Sequence, residues 1–439
     1  MTRNVAVYET HARNAGSADR GAGRAALKIL VLTPQFPYPP HQGTTIRNFN
    51  LIAYLAKRHA VHLLSFGDLA QGKDSPLQSA CQSVQVVRPP QRTMRDRLSG
   101  LFLSRLPDMA QRLPSEQFRA ALAATLEQED PDVVQVEGIE LAQYLFQAAA
   151  SPVAGRRRPL LVFDDHNAEY VLQQRAFETD ARRPRRWIGA VYSFVQWQRL
   201  RGYERRACLT ADRVVAVSET DAAALCRLES GLSPVVVPNG VDMAFYTAPS
   251  PPLKAQQAPG PLDLVFTGKM DFRPNVDAVL WFAQEVLPLL HLSSPDSRFW
   301  VVGQNPHPRL AALADHRDVV VTGRVEDVRP YIAAAGVYVV PLRIGGGTRL
   351  KVLEAMAMGK PVVSTRLGCE GFELVPDREL AIADTPAEFA STVLALLSDP
   401  DRRERLGRAA RRFAGSRYDW SVIVPRLEGV YTESRSDAE

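Results

Sequence analysis

Val337-Tyr-Val-Val-Pro-Leu-Arg-Ile-Gly-Gly-Gly-Thr348 runs straight into Arg349-Leu-Lys-Val-Leu-Glu354-Ala-Met-Ala-Met-Gly-Lys-Pro-Val-Val363. The pattern reads as a buried strand, a triple-glycine loop, a short helix and a second strand. Val337 to Leu342 is an apolar, β-branched run of the kind that fills a parallel sheet covered on both faces. Thr348 has the chemistry of an N-cap, Gly359 that of a C′ residue, and Pro361 stops the helix. Amides at a helix N-terminus behind a glycine loop form an anion site. Glu354 falls almost two turns into the helix, on the face shared with Leu350 and Lys351. A carboxylate there suits a pair of sugar hydroxyls, since it accepts two hydrogen bonds at once. The alternative is a tight strand–helix turn that serves packing only.

This unit resembles the C-terminal motif of the GT-B glycosyltransferases, in the retaining group called family four or glycosyl transferases group 1. That motif is Glu-x7-Glu followed by Ala-Met-Ala-x-Gly-x-Pro-Val-Val. Glu354 matches the second glutamate, which in the family binds the ribose of a nucleotide-sugar. The first glutamate, which touches the donor hexose, would fall at Gly346 and is absent. On the resemblance, amides of the glycine loop take its place. The donor-side set on this stretch is Gly345, Gly346, Gly347, Thr348, Arg349 and Glu354.

The resemblance covers the chain from about Leu27 onward. It implies two Rossmann-like, doubly wound α/β domains facing across a cleft. With 439 residues, 46% of them hydrophobic and 23% charged, the chain is long enough for two such cores. The opening strand is Leu27 to Leu32, and a helix is expected from about Thr45 to Lys57. Further strands are Val61–Phe66, Val133–Val136, Leu160–Phe163 and Arg213–Val217. A proline-rich stretch over 247–263 reads as a linker. A second alternating series follows in Leu262–Thr267, Phe299–Val302, Val319–Val321, Val337–Leu342 and Val362–Val363. The expected domains are therefore 27–246 on the acceptor side and 264–410 on the nucleotide-sugar side. The C-terminal part, 411–439, is expected to pack back on the N-terminal domain, as the last helix of GT-B proteins does. Residues 1–26 have no apolar core segment and read as a disordered lead-in.

Parallel sheets of this kind place ligands at the carboxyl ends of their strands. After the first strand of the second domain comes Gly268-Lys-Met-Asp-Phe-Arg273-Pro-Asn, which resembles the family's two-cation element for the donor diphosphate. Lys269 falls on the first cation; Arg273 lies one residue short of the second. Fixed cations there would stabilise charge on a leaving nucleoside diphosphate. Val325 falls where family members meet the base through backbone groups. In the first domain, Gly43 matches the family's N-terminal glycine loop. His166, leaving the strand Leu160–Phe163, looks like the histidine placed beside the donor sugar, though a partner of Asp164 or Asp165 is the other reading. Glu137, at the end of its strand, is a further acceptor-side residue. Ser218-Glu-Thr-Asp221 reads as a structural capping box.

Other chemistries find little support. Cys81, Cys208, Cys226 and Cys369 show no metal or disulfide spacing, and no HExxH occurs. Gly345 and Gly347 have Leu350 at the third position of a dinucleotide fingerprint, and Lys360 is followed by Pro361 rather than Ser or Thr. The reading is a retaining, metal-independent hexosyltransferase without a resident cofactor, its donor a nucleoside-diphosphate sugar. Its acceptor is a glycan or lipid-linked hydroxyl, with no nucleic acid involved, in polysaccharide or glycoconjugate biosynthesis. Rival readings are a sugar-nucleotide epimerase on the same fold and a degenerate paralogue that only binds.

No segment reaches the ~18 apolar residues of a membrane span. The expected location is the cytoplasm, peripheral at the inner membrane face. Arg182 to Arg201 has an aromatic centre between arginines, and Arg88 to Arg112 is a second basic segment around Leu101, Phe102 and Leu103. Both suit an anionic headgroup surface, or else amphipathic helices packed on their own sheet.

Overall fold

The structure, a computed structural model, describes residues 25–40, 42–73, 75–93, 104–151, 157–181, 187–254, 258–313, 316–345 and 349–432. Within them the chain divides into two units. Residues 25–238 and 423–432 form the first, and residues 239–422 the second.

The first unit is built on seven parallel strands. They are β1 (Lys28–Thr33), β2 (Ala60–Phe66), β3 (Ser83–Val87), β4 (Val133–Glu137), β5 (Leu160–Asp165), β6 (Arg213–Ala216) and β7 (Val235–Val236). Their spatial order is β3-β2-β1-β4-β5-β6-β7. The central strands are buried on both faces, which is why they read as continuous apolar runs. Leu30 pairs with His62 on one side and Val134 on the other. The short outer strands β3 and β7 carried too little apolar pattern to be read from sequence.

The second unit repeats the plan with six parallel strands. These are β8 (Leu264–Thr267), β9 (Phe299–Val302), β10 (Val319–Gly323), β11 (Val337–Val340), β12 (Val362–Ser364) and β13 (Ala381–Ile382), in the order β10-β9-β8-β11-β12-β13. In each sheet the chain first winds one way and then the other. The reversals lie between β1 and β4 and between β8 and β11. At such a point neighbouring loops diverge and leave a crevice at the carboxyl ends of the strands.

Three expectations from sequence need revision. The first unit ends at Pro238, earlier than 246; residues 239–246 open the second unit, and the described residues of the stretch read as a linker, 247–263, lie inside it. There Val241 bridges to Asp419, the Met243 amide donates to the Asp419 carboxylate, and Asp263 accepts from Arg298 and from Trp300 Nε1. The helix Pro400–Tyr418 stays in the second unit, burying Leu406, Ala410 and Phe413 in its core. The return to the first unit starts only at Ile423, within the next helix, Trp420–Thr432. Finally, β5 runs two residues further than expected, to Asp165, so Asp164 and Asp165 sit inside the sheet.

Local signals behave as the residue types require. The helix Leu350–Ala357 closes at Gly359, whose φ of +69° only glycine adopts at little cost, with the Lys360 amide bonded to Ala355 O at 3.0 Å. Arg349 precedes this helix without a side-chain cap; Gly346, Gly347 and Thr348 lie outside the described residues. Ser218 caps the helix Glu219–Leu228 by accepting from the Asp221 amide, and Asp221 also takes the Ala168 amide, tying down the loop after β5.

Candidate functional site

In the first unit, the chemistry gathers at the carboxyl ends of β1, β4 and β5. Arg47, from the helix Gly43–Leu55, is 2% exposed and reaches Asp164 at 2.7 Å. Its Nη1 donates to Pro238 O. Glu137 ends β4 and is 1% exposed. One of its oxygens meets His166 Nε2 at 2.7 Å; the other accepts from Gln135, which in turn takes the Tyr431 hydroxyl. Glu137 therefore does not present itself to an acceptor, as the sequence suggested. It orients His166.

Electrostatics follow from burial. Desolvation alone would lower the His166 pKa, but the Glu137 hydrogen bond and the charges of Glu137 and Asp164 outweigh it and raise it. The imidazole is thus held toward its protonated form, with Nε2 committed to Glu137. Burial pushes the Asp164 carboxyl up to about 6 against the pull of Arg47. Asp165 is raised well above the usual carboxylate range by burial and by Glu204. Burial raises Glu204 itself to about 7, while it accepts the Glu169 and Tyr170 amides that open the helix Glu169–Ala181.

A pocket of about 270 Å³ opens at this reversal of the sheet, lined by Thr44, Gly138, Glu140, His166, Asn167 and Glu169 among others. Burial, and then the charge of Glu140, push Glu169 up to about 7. Three carboxyl groups (Glu140, Asp165 and Glu169), the amides of Gln35 and Asn167, the His166 imidazole and the Arg112 guanidinium line one small concavity, a surface rich in partners for hydroxyls. A larger hollow of about 400 Å³ lies at the amino ends of β1, β4, β5 and β6. Folds of this kind do not place ligands at that end.

In the second unit, the loops after β8 and β11 converge. Glu354 is half-buried; burial raises its pKa, opposed by a hydrogen bond from the Tyr246 hydroxyl and by Lys351. Lys351 donates to Asn275 Oδ1 at 2.7 Å, and Asn275 donates to Lys269 O at 2.8 Å. A Cβ on Gly268 would lie 2.7 Å from Asn275 Nδ2 and 2.9 Å from Lys351 Nζ, so a side chain there would displace both. Gly345 (φ +116°) lies over the Arg349 guanidinium, which is 3.4 Å from where its Cβ would be. Val325 is half-buried two residues past the end of β10, and Arg329 fixes the neighbouring turn by donating to Phe245 O at 2.7 Å.

The structure thus brings together Gly268, Gly345, Arg349 and Glu354 in one unit, and His166 with Glu137 in the other. Gly43 begins its helix at the carboxyl end of β1, exposed. The two cations expected to meet the donor are both exposed. The Lys269 side chain is 51% exposed and pairs with Asp271 at 3.5 Å, and Arg273 is exposed at the first residue of its helix. The reason is the Asn275 clamp, which takes the Lys269 carbonyl inward and leaves its side chain outside. Sequence reading did not single out Arg47, Glu140, Tyr246 or Asn275, and it noted Lys351 only as sharing the face of Glu354 and Glu169 only as part of the polar stretch after Phe163. A lysine on the Glu354 face of an Ala-Met-rich helix was the one available signal.

Among the described residues, Glu137, Asp164 and His166 bring ligand atoms within 4.8 Å of one another, the only such group suited to a metal ion. One Asp164 oxygen holds the Arg47 guanidinium and Glu137 holds His166, while Asp164 Oδ1 is buried without a hydrogen-bond partner.

Comparison with known proteins places this geometry. The model described as "Glycosyltransferase Family 4" matches residues 42–245, and that described as "Glycosyl transferases group 1" matches 261–399. Each covers one unit's site. The chain belongs to the group 1 glycosyltransferases. Among relatives, a phosphatidyl-myo-inositol mannosyltransferase of Propionibacterium freudenreichii subsp. shermanii is 29% identical over 229 residues, 50% of this chain and 56% of that protein. The match thus spans little more than half of that relative. Sucrose-phosphate synthase from Thermosynechococcus elongatus superposes with a TM-score of 0.66 at 17% identity, over 94% of this chain and 100% of that one. The Anabaena protein HepE, solved with UDP and glucose, gives 0.59 at 16% identity, over 93% and 100%. Both likenesses confirm the GT-B fold of this family member.

Proposed function

We propose that this group 1 glycosyltransferase moves a hexosyl group from a nucleoside-diphosphate sugar to a hydroxyl of a glycan or lipid-linked acceptor, with retention and without a metal. The observation that carries the reading is Glu354, a half-buried carboxylate at the reversal point of the second sheet, on a helix that also carries half-buried Lys351 and follows buried Arg349. A carboxylate there accepts both hydroxyls of a ribose. The first unit's pocket, with Glu140, Glu169 and His166, takes sugar hydroxyls. Held protonated on Glu137, His166 acts as a hydrogen-bond donor from Nδ1 rather than as a base. In a retaining reaction the leaving phosphate takes the acceptor proton on the same face of the sugar. Arg47 on Asp164 supplies positive charge where a metal would otherwise be sought.

A lipid-linked acceptor is supported by the phosphatidylinositol-directed relatives and by the first unit's surface. Trp187 (66% exposed), Ile188 (68%), Val191, Tyr192 and Phe194 form an uncovered apolar face at the start of the helix Trp187–Thr210. Aromatic residues of this kind sit at headgroup depth. The arginines at 182–186 and the centre of the other basic segment, 94–103, lie outside the described residues. No described helix is long and apolar enough to cross a membrane. A panel of UDP- and GDP-sugars, read by binding and by donor hydrolysis, tests the activity. Hydrolysis of one donor is expected; a chain that binds no nucleoside diphosphate loses this reading.

A further inference from the structure

A half-buried lysine stands at the donor end of the second unit, and the reading above assigns it no contact with a ligand. Lys351 lies one helical turn before Glu354, on the same face of the helix Leu350–Ala357. If Glu354 holds the ribose, the diphosphate lies further toward the helix N-terminus, where Lys351 sits. Its ammonium group meets the Phe266 ring at 4.1 Å, hydrogen-bonds Asn275, and lies against the backbone of Gly268, the first residue of the loop after β8. Asn275 is 5% exposed and holds that loop through Lys269 O, so the lysine and the glycine backbone form one rigid surface. Lys269, the residue that sequence comparison favours, is turned outward onto Asp271.

We propose that Lys351, fixed by Asn275 over the Gly268 loop, is the cation that takes the donor's diphosphate, in place of Lys269 and Arg273. This rests on the nucleotide-sugar reading and adds to it the residue that performs the contact. A second observation agrees. Burial holds the Lys351 pKa down to about 7, with Glu354 pulling it up and Arg349 pushing it down. The charged groups that act on it are Glu354 and Arg349 on its own helix segment; Asn275, Phe266 and Gly268, from the elements packed against it, are uncharged. Near pH 7.5 the empty site therefore carries a mostly neutral amine, and an arriving diphosphate recharges it. Donor binding takes up a proton.

Calorimetry on the full chain tests this, with UDP, GDP, inorganic pyrophosphate and the free nucleosides, at pH 7.5 in two buffers of different ionisation enthalpy. The expected result is uptake approaching one proton for the nucleoside diphosphate that binds. Lys351→Met abolishes the uptake and weakens that binding about 30-fold or more, with nucleoside affinity within twofold. Lys351→Arg restores most of the affinity but not the uptake, and Lys269→Met costs less than Lys351→Met does. Wild-type binding without proton uptake overturns the proposal, even where Lys351→Met fails to fold. So does a larger loss in Lys269→Met than in Lys351→Met. Wild type that binds no nucleoside diphosphate overturns the donor reading as well, which separates the two failures.

Discussion

The two units share one architecture and carry opposite chemistry at the same place in it. Each is a parallel sheet whose winding reverses beside its first strand, and each concentrates ionisable groups at the carboxyl ends there. In the first unit these are acids: Asp164 raised to about 6, Glu169 and Glu204 to about 7, and Asp165 raised well above the usual carboxylate range. In the second they include bases pushed the other way, Lys351 to about 7 and Arg349 below its usual value. Burial disfavours whichever form is charged, so the same crevice neutralises acids in one unit and a lysine in the other. The fold supplies the desolvation, and the residue type decides which ligand charge restores the balance.

The sharpest way to break this comparison is to separate chemistry from nucleotide binding. His166→Ala is expected to lower kcat by about 100-fold or more, with donor affinity within twofold. Steady-state kinetics decide; a loss confined to KM would remove His166 from the reacting centre. Glu354→Ala reports on the other unit. Losing a charge-assisted pair of hydrogen bonds costs about 1.5–3 kcal/mol, roughly 10- to 150-fold in nucleotide affinity, with circular dichroism unchanged. Unaltered affinity for every nucleoside diphosphate would cancel the ribose assignment.

Stability against pH sharpens the contrast, because the two units should respond with opposite sign. Acids with raised folded pKa values bind more protons folded than unfolded between about pH 4.5 and 7. The first unit therefore loses stability as pH rises through that window. The raised His166 adds to the trend, since its charged pair with Glu137 is lost as pH climbs through its folded pKa. Lys351 binds its proton in the unfolded chain up to about 10.4 but not in the fold above about 7, so the second unit gains stability over that range. Hydrogen exchange resolved by unit between pH 5 and 9 should show opposing slopes on the order of 2 kcal/mol. Glu204→Gln should flatten the first slope and Lys351→Met the second. Parallel slopes would show that burial does not dominate at these sites.

The smallest effect concerns the surface. Replacing Trp187 and Ile188 by serine should reduce co-sedimentation with anionic liposomes at low salt by about tenfold, and high salt should weaken wild-type binding too. Protein that stays in the supernatant at low salt would point to a soluble acceptor.

Much of the fold was legible because central parallel strands are apolar on both faces, and their loops carry glycine and proline. β1, β4, β8 and β11 stand close to where the sequence placed them. β13 has two residues and β3 is only partly buried, so neither left a comparable trace. Glu354 and His166 were visible because each follows a strand end at a family motif. Lys269 was placed by the same logic and turned outward, since side-chain direction on a loop depends on a clamp from Asn275 that motif spacing does not encode. Arg47 was overlooked because a charged residue on a helix is ordinarily solvated. Its partner Asp164 lies 117 positions away in the chain.

By itself, then, the sequence determined the alternation of strands and helices, the two-sheet plan, the motif around Glu354 and the membership of the family. These are local properties, set by hydrophobic period, turn residues and caps within a few residues of one another. Only the tertiary structure decided that Lys351 packs against the Gly268 loop while Lys269 pairs with Asp271, that Glu137 is buried against His166, and where the chain returns to its first unit. Those outcomes depend on contacts between distant segments, such as Gln135 with Tyr431 and Lys351 with Asn275. Burial then sets the charge of each group, and burial is a property of the packed whole.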